Sequence, residues 1–248
     1  MLPLSGTSIL VTRPLHQAGK LVDRIEKAGG EAVLFPAVEI ADVEDDARLM
    51  ELLGRVREYD IAIFVSANAV EKAFGKIGSL PEGLRCAAVG KATFAALEER
   101  GIGNVLLPRS GFDSESLLEL PELKSVAGSR IVIFRGEGGR ELLADELKRR
   151  GAMVDYAECY RRIRPANPPA LDEKDVQAVT ATSGEIVSNL VAMTENWIYK
   201  KPIFVTHERI GKIAKDCGFE HVVVTEGGDD GLVDGLLRWF EFGDKAHG

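Results

Sequence analysis

Short apolar runs bounded by turn residues recur along this chain, and between them apolar residues fall three and four positions apart. The strand-like runs lie at 8–12, 32–35, 61–65, 86–89 and 105–107, and again at 130–134, 153–156, 178–180, 203–205 and 221–224. Ala18, Leu21, Val22, Ile25 and Ala28 share one face of a helix that Gly29-Gly30 ends. Helical stretches at 93–100 and 208–217 close at Gly101 and Gly218. Asp113-Ser114-Glu115-Ser116 before Leu117-Leu118 supplies the caps and first-turn acid of another helix start. Strand alternating with helix throughout predicts parallel sheets joined by right-handed crossovers, an α/β fold.

The pattern occurs twice. Ile9-Leu10-Val11-Thr12-Arg13 returns 122 positions later as Ile131-Val132-Ile133-Phe134-Arg135. Ser66-Ala67-Asn68-Ala69-Val70 is echoed 117 positions on by Ser183-Gly184-Glu185-Ile186-Val187, and Gly101 by Gly218 at the same offset. A repeat this long is a duplicated domain, not a solenoid unit. Two such lobes create a cleft, where small ligands usually sit. Prolines mark the joins, at Phe35-Pro36 and at Arg164-Pro165 through Pro168-Pro169. The extended stretches 38–40 and 158–163 are either a two-stranded hinge or surface loops.

Composition narrows the function. At 248 residues the chain suits two small domains, and 45% hydrophobic with 28% charged residues is ordinary for a soluble protein. No apolar run approaches the roughly 18 residues of a membrane span, and the start lacks a secretory signal pattern. Cys86, Cys159 and Cys217 have no CxxC spacing and read as reduced structural thiols in the cytoplasm. A net charge of −8 argues against nucleic acid as the partner.

Several segments carry candidate chemistry. Gly136-Glu137-Gly138-Gly139-Arg140 joins a strand to a helix and suits an anion cradle of backbone N–H groups. Glu141 stands where a dinucleotide fingerprint needs its third glycine, although Asp155 lies at the distance of a ribose-binding acid. The equivalent stretch of the first copy, Pro14 to Gly19, has no glycine-rich loop. An anion site is therefore favoured over a nucleotide site, and a plain strand–helix turn stays open. Ser66-Ala67-Asn68, Gly90-Lys91-Ala92-Thr93 and Thr182-Ser183-Gly184 follow strands and precede helices. They serve as helix caps and equally as ligand-facing groups at the carboxyl edge of a sheet. His16, His207, His221 and His247 lack ligand spacing, so no metal is expected. No nucleophile elbow is present. The acidic run 42–46 reads as a solvated helix start, and Arg161-Arg162-Ile163-Arg164 as a solvated hinge or a source of positive charge at the cleft.

Taken in order, these residues resemble a family. Val11-Thr12-Arg13-Pro14, Ala28-Gly29-Gly30 and Phe35-Pro36 are similar to the opening of uroporphyrinogen-III synthases. So are Phe64 to Val70, Ala88 to Thr93, Gly139-Arg140-Glu141 with Leu143 and Gly151, Tyr160-Arg161-Arg162, and Thr182-Ser183 with Val187. The resemblance implies two flavodoxin-like, doubly wound lobes around a cleft. One lobe would comprise 1–36 with 168–248 and the other 41–157, with hinge connectors at 37–40 and 158–167. It also implies closure of the linear tetrapyrrole hydroxymethylbilane to uroporphyrinogen III with inversion of ring D, a step of heme biosynthesis.

Such chemistry asks little of a protein. The pyrrole nitrogen expels the hydroxyl to give an azafulvene, and a spiro intermediate at ring D fragments and recloses with that ring flipped. One general acid and strict positioning suffice. Tyr160 matches the family's proton-donating tyrosine and Thr93 a threonine of its cleft, which makes these two the catalytic candidates. A phenol keeps its proton at neutral pH, which suits that role. The family often has a hydroxyl where this chain has Glu208-Arg209, so Thr206 or His207 would have to take its place. The substrate's eight carboxylates would meet helix starts and arginines: Arg13, Ser66, Ala67, Asn68, Gly90, Lys91, Gly136, Gly138, Gly139, Arg140, Thr182, Ser183 and Gly184. The resemblance implies a cytoplasmic, monomeric, cofactor-free lyase, with transient contact to neighbouring pathway enzymes allowed for. Two other expectations stand beside it: a non-catalytic two-lobe small-molecule-binding protein, and a nucleotide-dependent transferase with two Rossmann-like lobes.

Overall fold

A computed structural model describes residues 2–242; His247 lies outside them. The chain opens with strand β1 (Ser8–Val11), helix α1 (Leu15–Lys27), β2 (Glu31–Leu34) and β3 (Glu39–Ala41). Then come α2 (Ala47–Gly54), β4 (Ile61–Phe64), α3 (Ala67–Ile77), β5 (Arg85–Ala88), α4 (Lys91–Glu99), α5 (Ser114–Leu118) and α6 (Pro121–Lys124). β6 (Arg130–Gly136), α7 (Leu142–Arg149) and β7 (Met153–Ile163) follow. The chain continues through β8 (Ala178–Ala181), α8 (Gly184–Met193), β9 (Ile203–Val205), α9 (Glu208–Asp216), β10 (Val222–Val224) and α10 (Gly228–Phe242).

Two compact units result, one from Met1–Glu39 with Ile163–Gly248 and the other from Ile40–Arg162. The first holds a sheet in the order β10-β9-β8-β1-β2, with every neighbouring pair parallel. The second is ordered β3-β7-β6-β4-β5, and β7, β6, β4 and β5 pair in parallel. Each sheet is apolar on both faces, as crossover helices demand. In β1, Ile9 and Val11 join one core and Leu10 the other. In β4, Ile61 and Ile63 face one side, while Ala62 and Phe64 face the other, where Phe64 stacks on Phe134 at 4.5 Å.

The 122- and 117-residue offsets acquire a spatial meaning. β6 and β7 repeat β1 and β2, but they pair with β4 and β5, while β1 and β2 pair with β8 to β10. Each sheet therefore combines the first two strands of one copy with the later strands of the other.

Helix ends fall where glycine permits a left-handed turn: α1, α4 and α9 close ahead of Gly29, Gly101 and Gly218, whose φ values are 89°, 79° and 106°. Asp113 caps α5 by accepting the Ser116 N–H at 2.7 Å.

One expectation changes, and an alternative left open is resolved. The run 105–107 is not a strand but a single bridge, Leu106 to Ala87. It is cut short by Asn104 at φ 53° on one side and on the other by Pro108, which has no N–H to extend a ladder. The stretch 158–163, open between a paired strand and a surface loop, is strand: it continues β7, which pairs with β6 as far as Tyr160 through a register shift between Arg135 and Gly136 and has β3 as its other neighbour. The acidic run is, as expected, a largely exposed approach to a helix, α2, and it carries surface ion pairs as well. Asp42 and Asp46 pair with Lys72 and Lys76 at 2.9 and 2.7 Å, because those lysines sit one turn apart on α3, and Arg161 of β7 pairs with Glu44.

Candidate functional site

At the carboxyl ends of β4, β5 and β6 the second unit holds a cleft of about 400 Å³. Ligands of open α/β sheets bind at this edge. Ser66 enters it from the cap of α3, Gly136 from the end of β6, Gly139 from the turn that follows, and Tyr160 from the far half of β7.

Tyr160 is the central group. It is 3% exposed, yet its hydroxyl lies 3.0 Å from the Ser66 Oγ. Ser66 also accepts the Ala69 N–H at 3.1 Å, so the hydroxyl pair sits at the start of an eleven-residue helix. The glycine-rich turn explains how a phenol ring fits here. A Cβ on Gly136 would stand 2.7 Å from two atoms of the Tyr160 ring, so only glycine admits it. The Glu137 N–H donates to the Tyr160 carbonyl at 2.8 Å, fastening the turn to β7.

Gly139 is kept small by a different neighbour. Its Cβ would stand 2.5 Å from Nη2 of Arg135. The Arg135 side chain is 4% exposed and its guanidinium lies over the Tyr156 ring, 4.4 Å from the centroid. It donates from Nη1 to Glu141 at 3.1 Å and from Nε to the Gly136 carbonyl at 3.2 Å. Glu141 also accepts the Tyr156 hydroxyl at 2.5 Å. That bond, with the bond from Arg135, holds the Glu141 carboxyl below its usual range. Burial, then the bond to Glu141, pushes the Tyr156 phenol well above its own.

This geometry corrects the nucleotide expectation. The space that the first and third glycines of the turn leave open is filled by Tyr160 and Arg135, so the turn does not lie bare for a pyrophosphate. Asp155, the expected ribose acid, accepts the Tyr59 hydroxyl at 2.7 Å and pairs with Arg48.

The other named residues are placed as follows. Ala67 and Asn68 form the first turn of α3, next to Ser66. Arg140 lines the cleft, largely exposed, and pairs with Glu115 at 3.2 Å. Gly138 holds φ 67° at the tip of the turn. Gly90 caps α4, the Lys91 ammonium lies 4.6 Å from the centroid of Phe112, and Thr93 is buried in α4. The first unit holds the rest. Arg13 follows β1 and donates to Asp229 at 2.7 Å, so its charge is already engaged. Thr182 follows β8, and Ser183 caps α8 by accepting the Ile186 N–H. Gly184 opens α8, and Thr206 and His207 lie between β9 and α9.

Arg135 and Tyr156 were not among the expected site residues. The repeat held the signal for the first: it matches Arg13, the expected site arginine, at the 122-residue offset. Among the described residues no three His, Cys, Asp or Glu side chains gather as metal ligands. Among them, too, no helix is long and apolar enough to cross a membrane.

Comparison with known proteins is consistent along the chain. Residues 19–234 match the family model described as uroporphyrinogen-III synthase HemD. The chain is 34% identical to the uroporphyrinogen-III synthase of Escherichia coli (strain K12), over 93% of this chain and 98% of that protein. In fold it is similar to the uroporphyrinogen-III synthetase of Helicobacter pylori 26695, with a TM-score of 0.60 at 12% identity, covering 93% of this chain and 98% of that one. A mutant uroporphyrinogen III synthase from the extremely thermophilic bacterium Thermus thermophilus gives a TM-score of 0.58 at 17% identity, covering 96% and 100%.

Proposed function

The chain belongs to the uroporphyrinogen-III synthase family, and from that premise we propose that it closes hydroxymethylbilane to uroporphyrinogen III with Tyr160 as the general acid. Its class is then a cyclising lyase of the cytoplasm that removes one water and works without a cofactor. The observation that carries the assignment to Tyr160 is its hydroxyl, 3.0 Å from Ser66 in a cleft lined by arginines.

The proton balance fits that pair. If the Ser66 hydroxyl donates to the Tyr160 oxygen, the phenol proton is left for the departing hydroxyl of the substrate. The phenolate then formed keeps the Ser66 bond, beside the positive end of α3. The pyrrole lone pair expels water, ring D is attacked at its substituted carbon, and the spiro intermediate recloses with that ring inverted. The proton lost as the last ring regains aromaticity restores the phenol. Arg140 lines the cleft with its side chain 73% exposed, against 4% for Arg135, and it suits a carboxylate of the substrate. Thr93, Lys91 and the start of α4 are proposed as further binding groups of this unit. Arg13, Ser183, Thr206 and His207 are proposed for the other, where Arg13 would have to exchange Asp229 for a substrate carboxylate.

The test is an isomer assay: freshly made hydroxymethylbilane is supplied and the oxidised product is separated into types I and III. Type III as the main product supports the reading. Type I alone, at the rate of the blank, overturns it.

A further inference from the structure

Tyr160 is buried, and its ring rests on Gly136, the last residue of β6, at the head of a glycine-rich turn whose first four residues bring no side-chain bond of their own to it. The Glu137 N–H bond to the Tyr160 carbonyl fastens only the head of that turn, and the rest needs a side chain to hold it. Three contacts reach it from one residue, Arg135, and a fourth seats that residue on β7. The Arg135 Nε donates to the carbonyl of Gly136, the residue whose missing Cβ seats the Tyr160 ring. Its Nη1 reaches Glu141 at the far end of the turn, its Nη2 occupies the space over Gly139, and its plane lies on Tyr156. Tyr156 and Glu141 are themselves joined by a 2.5 Å bond, so the guanidinium is held from both sides. A forked, planar cation can make all these contacts at once; an ammonium cannot.

We infer that Arg135 is a positioning residue for the reaction: clamped by Glu141 and Tyr156, it fixes the 136–141 turn in the form that aims the Tyr160 hydroxyl. This rests on the reading of Tyr160 as the acid. The Tyr160 hydroxyl is bonded to Ser66, not to Arg135, which acts through Gly136. Its second contribution is to keep the turn from relaxing into the space that a glycine leaves, since three glycines within four residues otherwise give it wide conformational freedom.

The test is a double-mutant cycle on the full chain, with kcat and KM for type III product and a thermal melt for each variant. Arg135→Gln in the wild-type background is expected to lower kcat on the order of 10²-fold, the scale of an ångström of misplacement, with KM little changed. In the Tyr160→Phe background, where there is no hydroxyl left to aim, the same substitution is expected to cost nothing further. Gly139→Ala supplies an independent arm. Its Cβ displaces the guanidinium without removing it, and kcat should fall in the same manner with the cycle again non-additive. That variant carries the test if Arg135→Gln does not fold. An unchanged kcat in both variants overturns the inference. So does an equal loss in the Tyr160→Phe background, or a loss confined to KM, which would make Arg135 a direct substrate contact. If the wild-type protein makes no type III product, the underlying function has failed instead, and the two failures are told apart by that control.

Discussion

The hydroxyls of Tyr160 and Ser66 lie 3.0 Å apart although 94 positions separate them in the chain. β7 must run well past the expected strand end to place Tyr160 there, and the α3 cap must fall at the end of β4. For Tyr160→Phe the ring still fills the space over Gly136, so the fold should be retained with a melting temperature near that of the wild type. The rate of type III formation should fall by about 10² to 10⁴-fold, the range of a lost general acid. Wild-type turnover in the variant would end the acid role.

Ser66 serves two purposes, and Ser66→Ala separates them. Loss of the cap to Ala69 should cost about 1 kcal/mol, which in a protein of this size lowers the melting temperature by about 2–4 °C. Loss of the bond to Tyr160 should lower kcat by about tenfold, the worth of one hydrogen bond. Calorimetry with the isomer assay reads both. A lower melting temperature with unchanged kcat would leave Ser66 a cap only.

Much of this was legible in the sequence, and what escaped did so for physical reasons. The apolar runs that became β1, β4, β6 and β8 are buried on both faces, so burial alone marked them. The second half of β7 does not look like a strand in the sequence, because buried Ala157, Cys159 and Tyr160 lie among Glu158, Arg161 and Arg162, a mixture that resembles a surface connector. The exchange of strands between the two copies is a property of which neighbours pair, and local pattern carries no information on that. At the site, Ser66, Gly136, Gly139 and Tyr160 carry sequence signals of their own, and all four line one cleft. Arg135 was overlooked because a charged residue at the end of an apolar strand reads as its solvated terminus. Here it is buried under Tyr156 and satisfied by Glu141.

The three cysteines should differ sharply in reactivity. Burial pushes the Cys159 thiol up to about 12 and the Cys86 thiol up to about 11, and both are shielded from solvent. Cys217, at the end of α9, is only partly buried. Since the thiolate is the reacting form, a disulfide reagent at pH 7 should label Cys217 quickly in the native protein and the other two only on unfolding. Mass mapping of the labelled peptides checks this. Rapid labelling of Cys159 would show that β7 opens beside Tyr160 under native conditions.

Acid should loosen the end of α7 in a defined window. Glu146 accepts from Arg149 at 2.6 and 2.7 Å and from Arg150 at 2.7 Å, and these bonds pull its carboxyl from the ordinary 4.5 to about 2. Arg150 in turn donates to the carbonyls of Leu118 and Leu123, so the pair ties α7 to α5 and α6. A carboxyl depressed on folding contributes stability that is fully present above its unfolded value and is lost as pH falls through its folded one. The contribution of Glu146 should therefore be intact above about 4.5 and fade toward 2. In Glu146→Gln the melting temperature should be lower than wild type at neutral pH, and its decline between pH 4.5 and 2 shallower. Melting curves at half-unit steps of pH give the comparison. Parallel declines in the two proteins would show that the arginines hold α7 equally well against a neutral amide.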